Sequence, residues 1–372
     1  FRLAHVYFGR EIIEVATYRA PPGEANKTDK TDKSGNSKNS EVHLADDSGR
    51  ILRDNVYGTL EEDAVRRDFT INALYYNYAN DEISDFVGGF DDLKNGLIKI
   101  IGDPETRYRE DPVRMLRAIR FASKLGLKID QKSEAPIKAL SVLLADVPAA
   151  RKYEEVLKLF HGGAALNTFE ALRHADLFQY LFPQAEVCLA REVDHFPALL
   201  IPLALRNTDN RIQEGKPVTP AFLLAVMLWG SALEEAERLV TRGANQQDAL
   251  RSAAAHVLRK QSQHTSIPKR FTGMMREMWM MQSRFAFRNG KRAFRLMQHQ
   301  RFRAAYDFLC LRSESGEIDD ELCKWWTLFQ EVDMDERKEM IDALPPVPGS
   351  RRKRKKRTGP NSNNSGEKNF NV

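Results

Sequence analysis

The sequence is poor in cysteine and has no long apolar run, and each shortage narrows the classes of protein to which it can belong. The three cysteines, Cys188, Cys310 and Cys323, show neither a CxxC pair nor the Cys/His spacing of a metal site. We therefore predict three buried thiols in a reducing cytoplasm. The longest apolar segment, residues 221–229, falls short of the roughly 18 residues of a membrane-spanning helix. We predict a cytoplasmic protein without a membrane span.

A net positive charge is also lacking outside one short segment. The net charge of the 372 residues is +5, but residues 351–357 alone contribute seven Lys or Arg side chains. Because Glu367 and Lys368 cancel, residues 1–350 carry 5 − 7 = −2. The Pro-, Asn- and Ser-rich segment 345–372 is therefore predicted to be a disordered basic tail.

The beginning of the chain predicts strands and a loop. Residues 3–8 and 12–18 are rich in strand-forming side chains and flank a glycine turn, which predicts a hairpin that carries Glu14. Residues 20–50 have almost no apolar side chains, so we predict a mobile loop there. Further strands are predicted over residues 83–87 and 97–101. From residue 111 to about residue 344 the pattern is helical.

An acid- and arginine-rich stretch, residues 61–74, lies next to an apolar helical pattern. Arg66 and Arg67 suit a triphosphate, because each guanidinium presents two donors to phosphate oxygens. Asp68 suits a ribose hydroxyl or Mg²⁺, and Asn72 suits ribose or phosphate. The alternative is a cluster of ion pairs at the start of a helix, and this stretch alone does not decide between the two.

A second charged stretch, residues 109–117, overlaps an amphipathic helix predicted over residues 111–125, with Pro112 at its first position. The apolar arc of this helix consists of Met115, Leu116, Ile119 and Ala122. The polar arc consists of Glu110, Asp111, Arg114, Arg117, Arg120 and Lys124. The alternative interpretation of that arc is a solvated face with weak ion pairs.

Within the polar arc, Asp111 and Arg114 lie about one helical turn apart and place an acceptor beside a donor. Adenine offers an N6 donor beside the N1 acceptor, and cytosine offers N4 beside N3, so the pair complements either base. Guanine or uracil would leave buried polar groups unpaired, which such a site rejects strongly. The choice between adenine and cytosine then depends on the shape of the pocket.

These stretches resemble, in order and spacing, the motifs of class II nucleotidyltransferases, the group that holds bacterial poly(A) polymerases and CCA-adding enzymes. The matching runs are RRDFTINAL (residues 66–74), GGFDDLKNG (88–96) and REDPVRMLRAIRFA (109–122). Within the group, the runs LRDNVYGT (52–59), IPKR (267–270) and FRAAYDFL (302–309) resemble the poly(A) polymerases. The sequence has no His-Asp dipeptide of the kind found in the phosphohydrolase domains of many CCA-adding enzymes.

The resemblance implies an α+β fold, with a partial polymerase-beta-like nucleotidyltransferase head followed by an all-α neck and body. The implied domains are a head over residues 1–105 with a flexible loop at 20–50, a base-reading neck over 106–175, an RNA-binding body over 176–344 and the tail 345–372.

The resemblance also implies template-independent addition of AMP from ATP to RNA 3′ ends, with Mg²⁺ as cofactor and release of pyrophosphate. Asp68 and Glu14 are then the predicted catalytic acids, and Glu14 is the metal ligand present in the sequence. The predicted nucleotide-binding side chains are Arg66, Arg67, Asn72, Glu110, Asp111, Arg114, Arg117 and Arg120. Expected protein partners act in RNA decay or as RNA chaperones.

An RNA-binding surface is predicted between residues 265 and 303, where ten cations face a single acid, Glu277, with phenylalanines among them. Phosphate neutralisation and base stacking favour this function. The alternative is that the phenylalanines form core and the charges a solvated face. The predicted RNA-binding residues are Lys269, Arg270, Arg288, Lys291, Arg292 and Arg295, with Arg351, Arg352, Lys353 and Arg354 in the tail.

One part of the family pattern is missing. The Gly-Ser motif and the Asp-x-Asp pair have no match in the sequence, which begins at Phe1, and Asp333-Met334-Asp335 has the spacing but lies in a helical stretch. Attack on an α-phosphate needs paired carboxylates that hold metal ions about 3.5–4 Å apart. We therefore expect an N-terminally truncated fragment that is inactive alone. A tRNA CCA-adding enzyme and a non-catalytic RNA-binding protein remain the alternative functions.

Overall fold

The structure is a computed structural model that describes residues 3–9, 11–20, 44–45, 51–53, 57–190 and 199–345. Its strands are β1 (Leu3–Phe8), β2 (Glu11–Ala16), β3 (Leu44–Ala45), β4 (Ile51–Arg53), β5 (Leu74–Asn77), β6 (Glu82–Asp85), β7 (Leu97–Ile98) and β8 (Lys128–Ile129). The helices up to residue 190 are α1 (Leu60–Arg66), α2 (Gly89–Lys94), α3 (Pro104–Glu110), α4 (Val113–Leu125), α5 (Gln131–Glu134), α6 (Ile137–Leu140), α7 (Ala149–Phe160), α8 (Ala165–His174), α9 (Phe178–Leu181) and α10 (Pro183–Leu189). The later helices are α11 (Leu200–Gln213), α12 (Pro220–Thr241), α13 (Gln246–His264), α14 (Lys269–Gln282), α15 (Lys291–Met297), α16 (Phe302–Glu314), α17 (Asp320–Glu331) and α18 (Met334–Asp342). Short 3-10 turns lie at Thr70–Asn72 and Ser141–Asp146.

The described strands pair two by two, and all except β8 lie before the long helical part of the chain. β1 pairs antiparallel with β2, from Leu3 opposite Ala16 to Phe8 opposite Glu11, which confirms the predicted hairpin. β5 and β6 also pair antiparallel, whereas β7 and β8 pair in parallel. Because β8 follows α4 directly, this last pair ties the end of α4 to the strand-containing part of the chain. The predicted α+β fold is confirmed.

The strand predicted over residues 83–87 ends two residues earlier, at Asp85, and a side chain explains why. The Asp85 carboxylate accepts hydrogen bonds from the backbone N–H groups of Val87, Gly89 and Phe90. These bonds turn the chain into α2 and lower the pKa of Asp85, although its slight burial works against the shift. The strand predicted over residues 97–101 is likewise confined to Leu97–Ile98, after which the Ile100 N–H bonds to Ser133.

The turn that carries Asn72 is fixed by a close approach of α2. A Cβ atom on Gly89 would lie 2.1 Å from the carbonyl oxygen of Thr70, so only glycine fits at this contact. The Thr70 hydroxyl donates to Asp92 of α2 over 2.8 Å. α1 begins with a capping box in which Thr59 and Glu62 satisfy each other's backbone N–H groups. The segment from α1 to Asn72 is therefore anchored at both ends.

The charged stretch around Pro112 is a junction of two helices rather than the start of one. The helix predicted from Asp111 begins instead at Val113, with Pro112 at the N-cap, and α3 was not predicted. Asp111 is extended (φ −148°, ψ 94°) because the proline ring that follows excludes the helical region. α3 nevertheless has a local sequence signal, because Asp103 is its N-cap residue and Pro104 is its first residue.

One apolar core extends through much of the described chain, from Phe69 and the β7–β8 pair to the C-terminal helices. It runs from Phe69, which lies beside Ile100, through the inner faces of α4, α7 and α8 to Trp326 and Phe329 of α17. α12 passes through its middle and buries apolar side chains from Ala221 to Ala236. No helix in the described ranges is both long enough and apolar enough to span a membrane.

The prediction of three buried thiols is wrong for Cys310 and Cys323. Cys310 of α16 and Cys323 of α17 form a disulfide, with their Cα atoms 5.1 Å apart. Cys188 is half-buried, and its sulfur lies 3.4 Å from the hydroxyl oxygen of Ser231. The two cysteines are 13 residues apart, and each lies on one arm of a helical hairpin. Two cysteines at this spacing do not form a recognisable short motif. They come within bonding distance only after the two helices have packed.

Two predictions fall on parts of the chain that lie outside the described residues. The loop predicted at 20–50 is covered only at residue 20 and at 44–45, and the basic tail is covered only at residue 345. The predicted RNA-binding residues Arg351, Arg352, Lys353 and Arg354 lie outside as well.

His161, which follows α7, gives the fold a predictable response to acid. Burial lowers its pKa, while a hydrogen bond between the ring and the Leu157 carbonyl works weakly in the opposite sense. The unfolded chain therefore binds a proton more readily below about pH 6.5, so the free energy of unfolding falls as the pH drops. We expect a slope of at most about 1.4 kcal/mol per pH unit from this group.

Urea unfolding at pH 7.5 and 5.5 measures this response. The His161→Gln variant is expected to lose less unfolding free energy over that interval than the unsubstituted chain. An equal loss in the two proteins would contradict the assignment to His161.

Candidate active site

A cavity of about 510 Å³ lies where α1 and the Thr70–Asn72 turn meet α4 and α7. Its lining contains six guanidiniums and three carboxylates, an excess of three positive charges. The lining residues are Arg19, Arg66, Arg67, Asp68, Asn72, Asp111, Val113, Arg114, Arg117, Phe121, Arg151 and Glu155. Seven of the ten predicted catalytic and nucleotide-binding residues line this one space, and Glu14, Glu110 and Arg120 are not part of the lining. A cationic cavity of nucleotide size suits a polyphosphate.

Asp63, which the sequence reasoning did not select, holds one wall of the cavity. Its buried carboxylate accepts hydrogen bonds from Nε and Nη2 of Arg67 (3.0 and 2.9 Å), from the Tyr75 hydroxyl (2.7 Å) and from the backbone N–H of Arg19 (3.1 Å). An oxygen of Asp63 also lies 3.6 Å from Arg66. Since both arginines are three or four residues further along the same helix, this spacing was the available signal.

Positive charge is concentrated around Arg66. Burial, and then the neighbouring guanidiniums of Arg19, Arg67, Arg107 and Arg114, lower the pKa of Arg66 to about 10. The side chain stays charged at neutral pH, but its charged form is disfavoured by these surroundings. A bound anion would relieve that repulsion, so the wall formed by Arg66 and Arg67 is suited to phosphate.

Asp68 links the two halves of the cavity. One carboxylate oxygen accepts from the Asn72 amide (3.0 Å) and from the Phe69 N–H (2.9 Å). The other accepts from Nε of Arg117 on α4 over 2.6 Å. The predicted catalytic acid therefore already bonds to a cation of the facing helix, and its role in catalysis remains a prediction.

Arg107 is a second residue that the sequence reasoning missed, and it joins α3 to the end of α1. Its guanidinium donates to the backbone carbonyls of Arg66 (2.8 Å) and Arg67 (2.6 Å). It also shares the Glu110 carboxylate with Arg114, each over 2.9 Å. Arg114 donates in addition to the Arg107 carbonyl over 2.7 Å. Glu110 thus acts behind the cavity, where it positions arginines.

Asp111 and Arg114 face the same cavity but hold different partners. Asp111 pairs with Arg151 of α7 over 2.7 Å and accepts the Val113 N–H over 3.2 Å. Arg114 is 9% exposed and is held by Glu110. Different partners thus hold the two groups on the lining of the cavity. Their predicted reading of adenine is compatible with this placement and remains a prediction.

Arg120 and Glu155 form a largely buried pair beside the cavity. The Arg120 guanidinium lies 4.2 Å from the centre of the Phe121 ring and 3.9 Å from a carboxylate oxygen of Glu155. Burial is the main cause of the lowered pKa of Arg120. The other oxygen of Glu155 pairs with Lys158 over 2.8 Å. Among the predicted nucleotide-binding residues, Arg120 therefore supports the wall rather than lining it.

Glu14 lies apart from this arrangement. It is on β2, and its side chain is 69% exposed and 3.7 Å from the His5 ring across the hairpin. In the part of the chain that the structure describes, no three His, Cys, Asp or Glu side chains come together as a cation site. The described residues therefore do not form the metal site that the resemblance implies.

The predicted RNA-binding residues of the described body divide into two kinds. Arg288 is mostly buried, pairs with Glu321 over 2.8 Å and lies over the Trp325 ring. Its guanidinium is thereby used in packing. The others are exposed on α14 or α15: Lys269, Arg270, Lys291, Arg292 and Arg295.

Three family models match the chain. They are described as the poly A polymerase head domain (residues 1–99), a probable RNA and SrmB-binding site of polymerase A (126–189) and the polymerase A arginine-rich C-terminus (242–359).

Curated relatives match over most of the chain. The chain is 44% identical to Poly(A) polymerase I of Salmonella typhi and 45% identical to that of Escherichia coli O157:H7, in each case over 95% of this chain and 74% of the relative. It is 32% identical to the CCA-adding enzyme of Bacillus subtilis, over 52% of this chain and 49% of that enzyme.

Solved structures support the fold. A CCA-adding enzyme in an apo form aligns with a TM-score of 0.51 and 17% identity, over 93% of this chain and 72% of that one. A tRNA nucleotidyltransferase with a primer tRNA and an ATP analogue aligns with a TM-score of 0.50 and 19% identity, over 91% and 81%. At these identities the likeness shows a shared fold and no more.

Proposed function

The chain belongs to the bacterial poly(A) polymerase family, and from that premise we propose that it adds AMP from ATP to RNA 3′ ends without a template and releases pyrophosphate. Enzymes of this family are nucleotidyltransferases that use ATP. One structural observation links the proposal to particular residues. The family-matched runs from α1 and from the α3–α4 junction line a single arginine-rich cavity.

Two groups of cavity residues suit the two parts of ATP. Arg66 and Arg67, held from behind by Asp63, are proposed to bind the triphosphate. Asp111 and Arg114 are proposed to receive the base, with Asp111 accepting from N6 and Arg114 donating to N1. Asn72, on the 3-10 turn, also lines the cavity and suits the ribose or a phosphate.

The reaction forms a bond from the primer's 3′-hydroxyl oxygen to the α-phosphorus. The bond from that phosphorus to the α–β bridging oxygen breaks, and this oxygen leaves with the pyrophosphate. The hydroxyl proton passes to solvent water. We propose that Arg66 and Arg67 stabilise the negative charge on the departing pyrophosphate. Asp68 orients Arg117 and Asn72, and a direct role in the proton transfer would require it to exchange one of these bonds.

The cation that the resemblance implies is Mg²⁺, with Glu14 as a ligand. The described residues do not form such a site. Mg²⁺ dependence and the role of Glu14 remain predictions of the resemblance.

Two further parts of the proposal concern RNA and proteins. The exposed cations of α14 and α15 are proposed to bind the primer's phosphates, together with the tail beyond residue 345. Proteins of RNA decay or RNA-chaperone proteins in the cytoplasm are the proposed partners. Residues 126–189 are the surface to test first, because their family model is described as a probable RNA and SrmB-binding site.

Incubation of the full-length protein with an oligo(A) primer and each labelled nucleoside triphosphate tests the proposal. We expect a ladder of products with ATP and little extension with GTP, UTP or CTP. RNA binding without any incorporation would contradict the proposal and favour the non-catalytic alternative.

A CCA-adding enzyme matches about half of the chain, so the CCA-adding alternative is tested separately. Transcripts of tRNA that lack the terminal CCA are offered with CTP and ATP. Addition of two C residues before A would favour that activity, whereas direct and continued addition of A is expected for a poly(A) polymerase.

A further inference from the structure

The basic stretch of residues 265–303 is not uniformly available to a ligand. Three of its ten cations, Arg288, Arg301 and Arg303, pair with Glu321, Glu277 and Asp307. The others have no carboxylate partner in the described parts of the chain. Three of these, Arg284, Arg292 and Arg295, lie together around one depression.

That depression has a volume of about 420 Å³, and no acidic side chain of the described chain lines it. The lining residues are Gln247, Arg284, Phe287, Arg292, Arg295 and Leu296. Phe287 is 47% exposed, and the Arg292 guanidinium lies 5.9 Å from its ring centre. A half-exposed aromatic ring beside arginines that have no carboxylate partner suits a ligand that stacks on the ring and carries negative charge.

The residues on either side of Phe287 hold it in this position. Phe285 is fully buried, and its carbonyl accepts a hydrogen bond from the Trp326 indole over 3.0 Å. Arg288 is fixed by Glu321 and the Trp325 ring. Between these two anchors the Phe287 ring is presented outward on a fixed backbone rather than on a loose loop. Binding at such a site requires little ordering.

We propose that the Phe287 depression is a subsite for single-stranded RNA, in which Phe287 stacks on a base while Arg284, Arg292 and Arg295 hold the adjacent phosphates. The inference rests on the proposed function and deepens it, because it assigns Phe287 and Arg284, which were not named as RNA-binding residues, to one subsite. Every base has a π-face, so the subsite recognises a strand without reading its sequence. An unpaired strand is required, because a duplex keeps its base faces stacked.

Fluorescence anisotropy with two labelled oligomers of equal length, oligo(A) and an abasic phosphodiester chain, separates stacking from charge. We expect Phe287→Ala to weaken oligo(A) binding by about tenfold. Binding of the abasic chain should change less than twofold, and Phe287→Trp should bind oligo(A) as well as the unsubstituted chain does. The matched control is Phe90→Ala, which removes a phenylalanine of similar exposure (53%) from α2 and should leave binding unchanged.

The arginines should respond differently. Arg284→Ala or Arg295→Ala should weaken both oligomers and lower the slope of log affinity against log salt by about 0.7 for each lost cation. The proposal is overturned if Phe287→Ala binds oligo(A) normally, or if it weakens both oligomers equally. The second result would point to charge or local folding rather than stacking, and a thermal melt of the same variant shows which of the two applies.

The primer-extension assay of the unsubstituted protein tests the proposed function independently of the subsite. If ATP is incorporated and Phe287→Ala still binds oligo(A) normally, the subsite fails while the polymerase function stands. If no nucleotide is incorporated but Phe287→Ala loses oligo(A) binding, the subsite stands and the polymerase function fails.

Discussion

Replacing Asp63 with Asn should lower kcat/KM for ATP by about a hundredfold, although in this structure Asp63 is not among the residues that line the cavity. The carboxylate holds Arg67 through two hydrogen bonds and lies 3.6 Å from Arg66. An amide keeps the shape but loses the charge, so both guanidiniums would move relative to the triphosphate. The free energy of unfolding should fall by about 3 kcal/mol, because half-buried Arg66 and its neighbour Arg67 lose an opposite charge. Steady-state kinetics and urea unfolding measure the two effects.

Glu61→Gln is the matched control, because it makes the same change of charge on the same helix at an exposed position. It should change the unfolding free energy by no more than about 0.5 kcal/mol and leave kcat/KM near that of the unsubstituted protein. The double variant Asp63→Asn/Arg67→Gln separates the two roles of Asp63. Removal of one uncompensated charge should restore part of the stability, while ATP use stays low because a phosphate ligand is missing. Recovery of activity in that double variant would contradict the positioning role.

The case of Asp63 illustrates how far the sequence alone predicts this site. Seven of the twelve side chains that line the cavity were predictable, because arginines and acids beside an apolar stripe fit a nucleotide better than a core. Asp63 and Arg107 were not selected, since their importance depends on which backbone and side-chain groups they reach after folding. Arg107 bonds to carbonyls some forty residues away in sequence. No local pattern encodes a contact of that kind.

The fold shows the same division between local and tertiary signals. The β1–β2 hairpin and the helical run after residue 111 follow from residue periodicity, and both are present. The break at Asp111 is also local, because a proline follows it, yet the helix predicted over residues 111–125 included Asp111 and began two residues too early. The Cys310–Cys323 disulfide is tertiary: it needs α16 and α17 to pack before the sulfur atoms meet. Spacing along the chain could not predict it.

The second large effect is expected at Asp111, where Asp111→Asn should lower the preference for ATP over UTP by about a hundredfold. The carboxylate only accepts hydrogen bonds, which suits the 6-amino group of adenine and repels the O4 carbonyl of uracil. An amide can rotate to donate, so it tolerates either base, and ATP loses a charge-assisted bond. Ratios of kcat/KM for the two nucleotides measure the change. An unaltered ratio would contradict base reading by Asp111.

Arg151→Gln distinguishes the loss of the acceptor from the loss of its ion pair. Arg151 is 45% exposed and pairs with Asp111 over 2.7 Å, so its removal leaves the carboxylate in place and should cost less than about fivefold, with the ATP preference retained. A substrate change completes the test. Purine riboside triphosphate lacks the 6-amino group, and the unsubstituted protein should use it much less well than ATP. In Asp111→Asn the difference between the two nucleotides should become smaller, because the amide oxygen accepts from the 6-amino group without the charge that strengthens this bond in the unsubstituted protein. Independent, additive losses would show that Asp111 acts on the helix junction and does not contact N6.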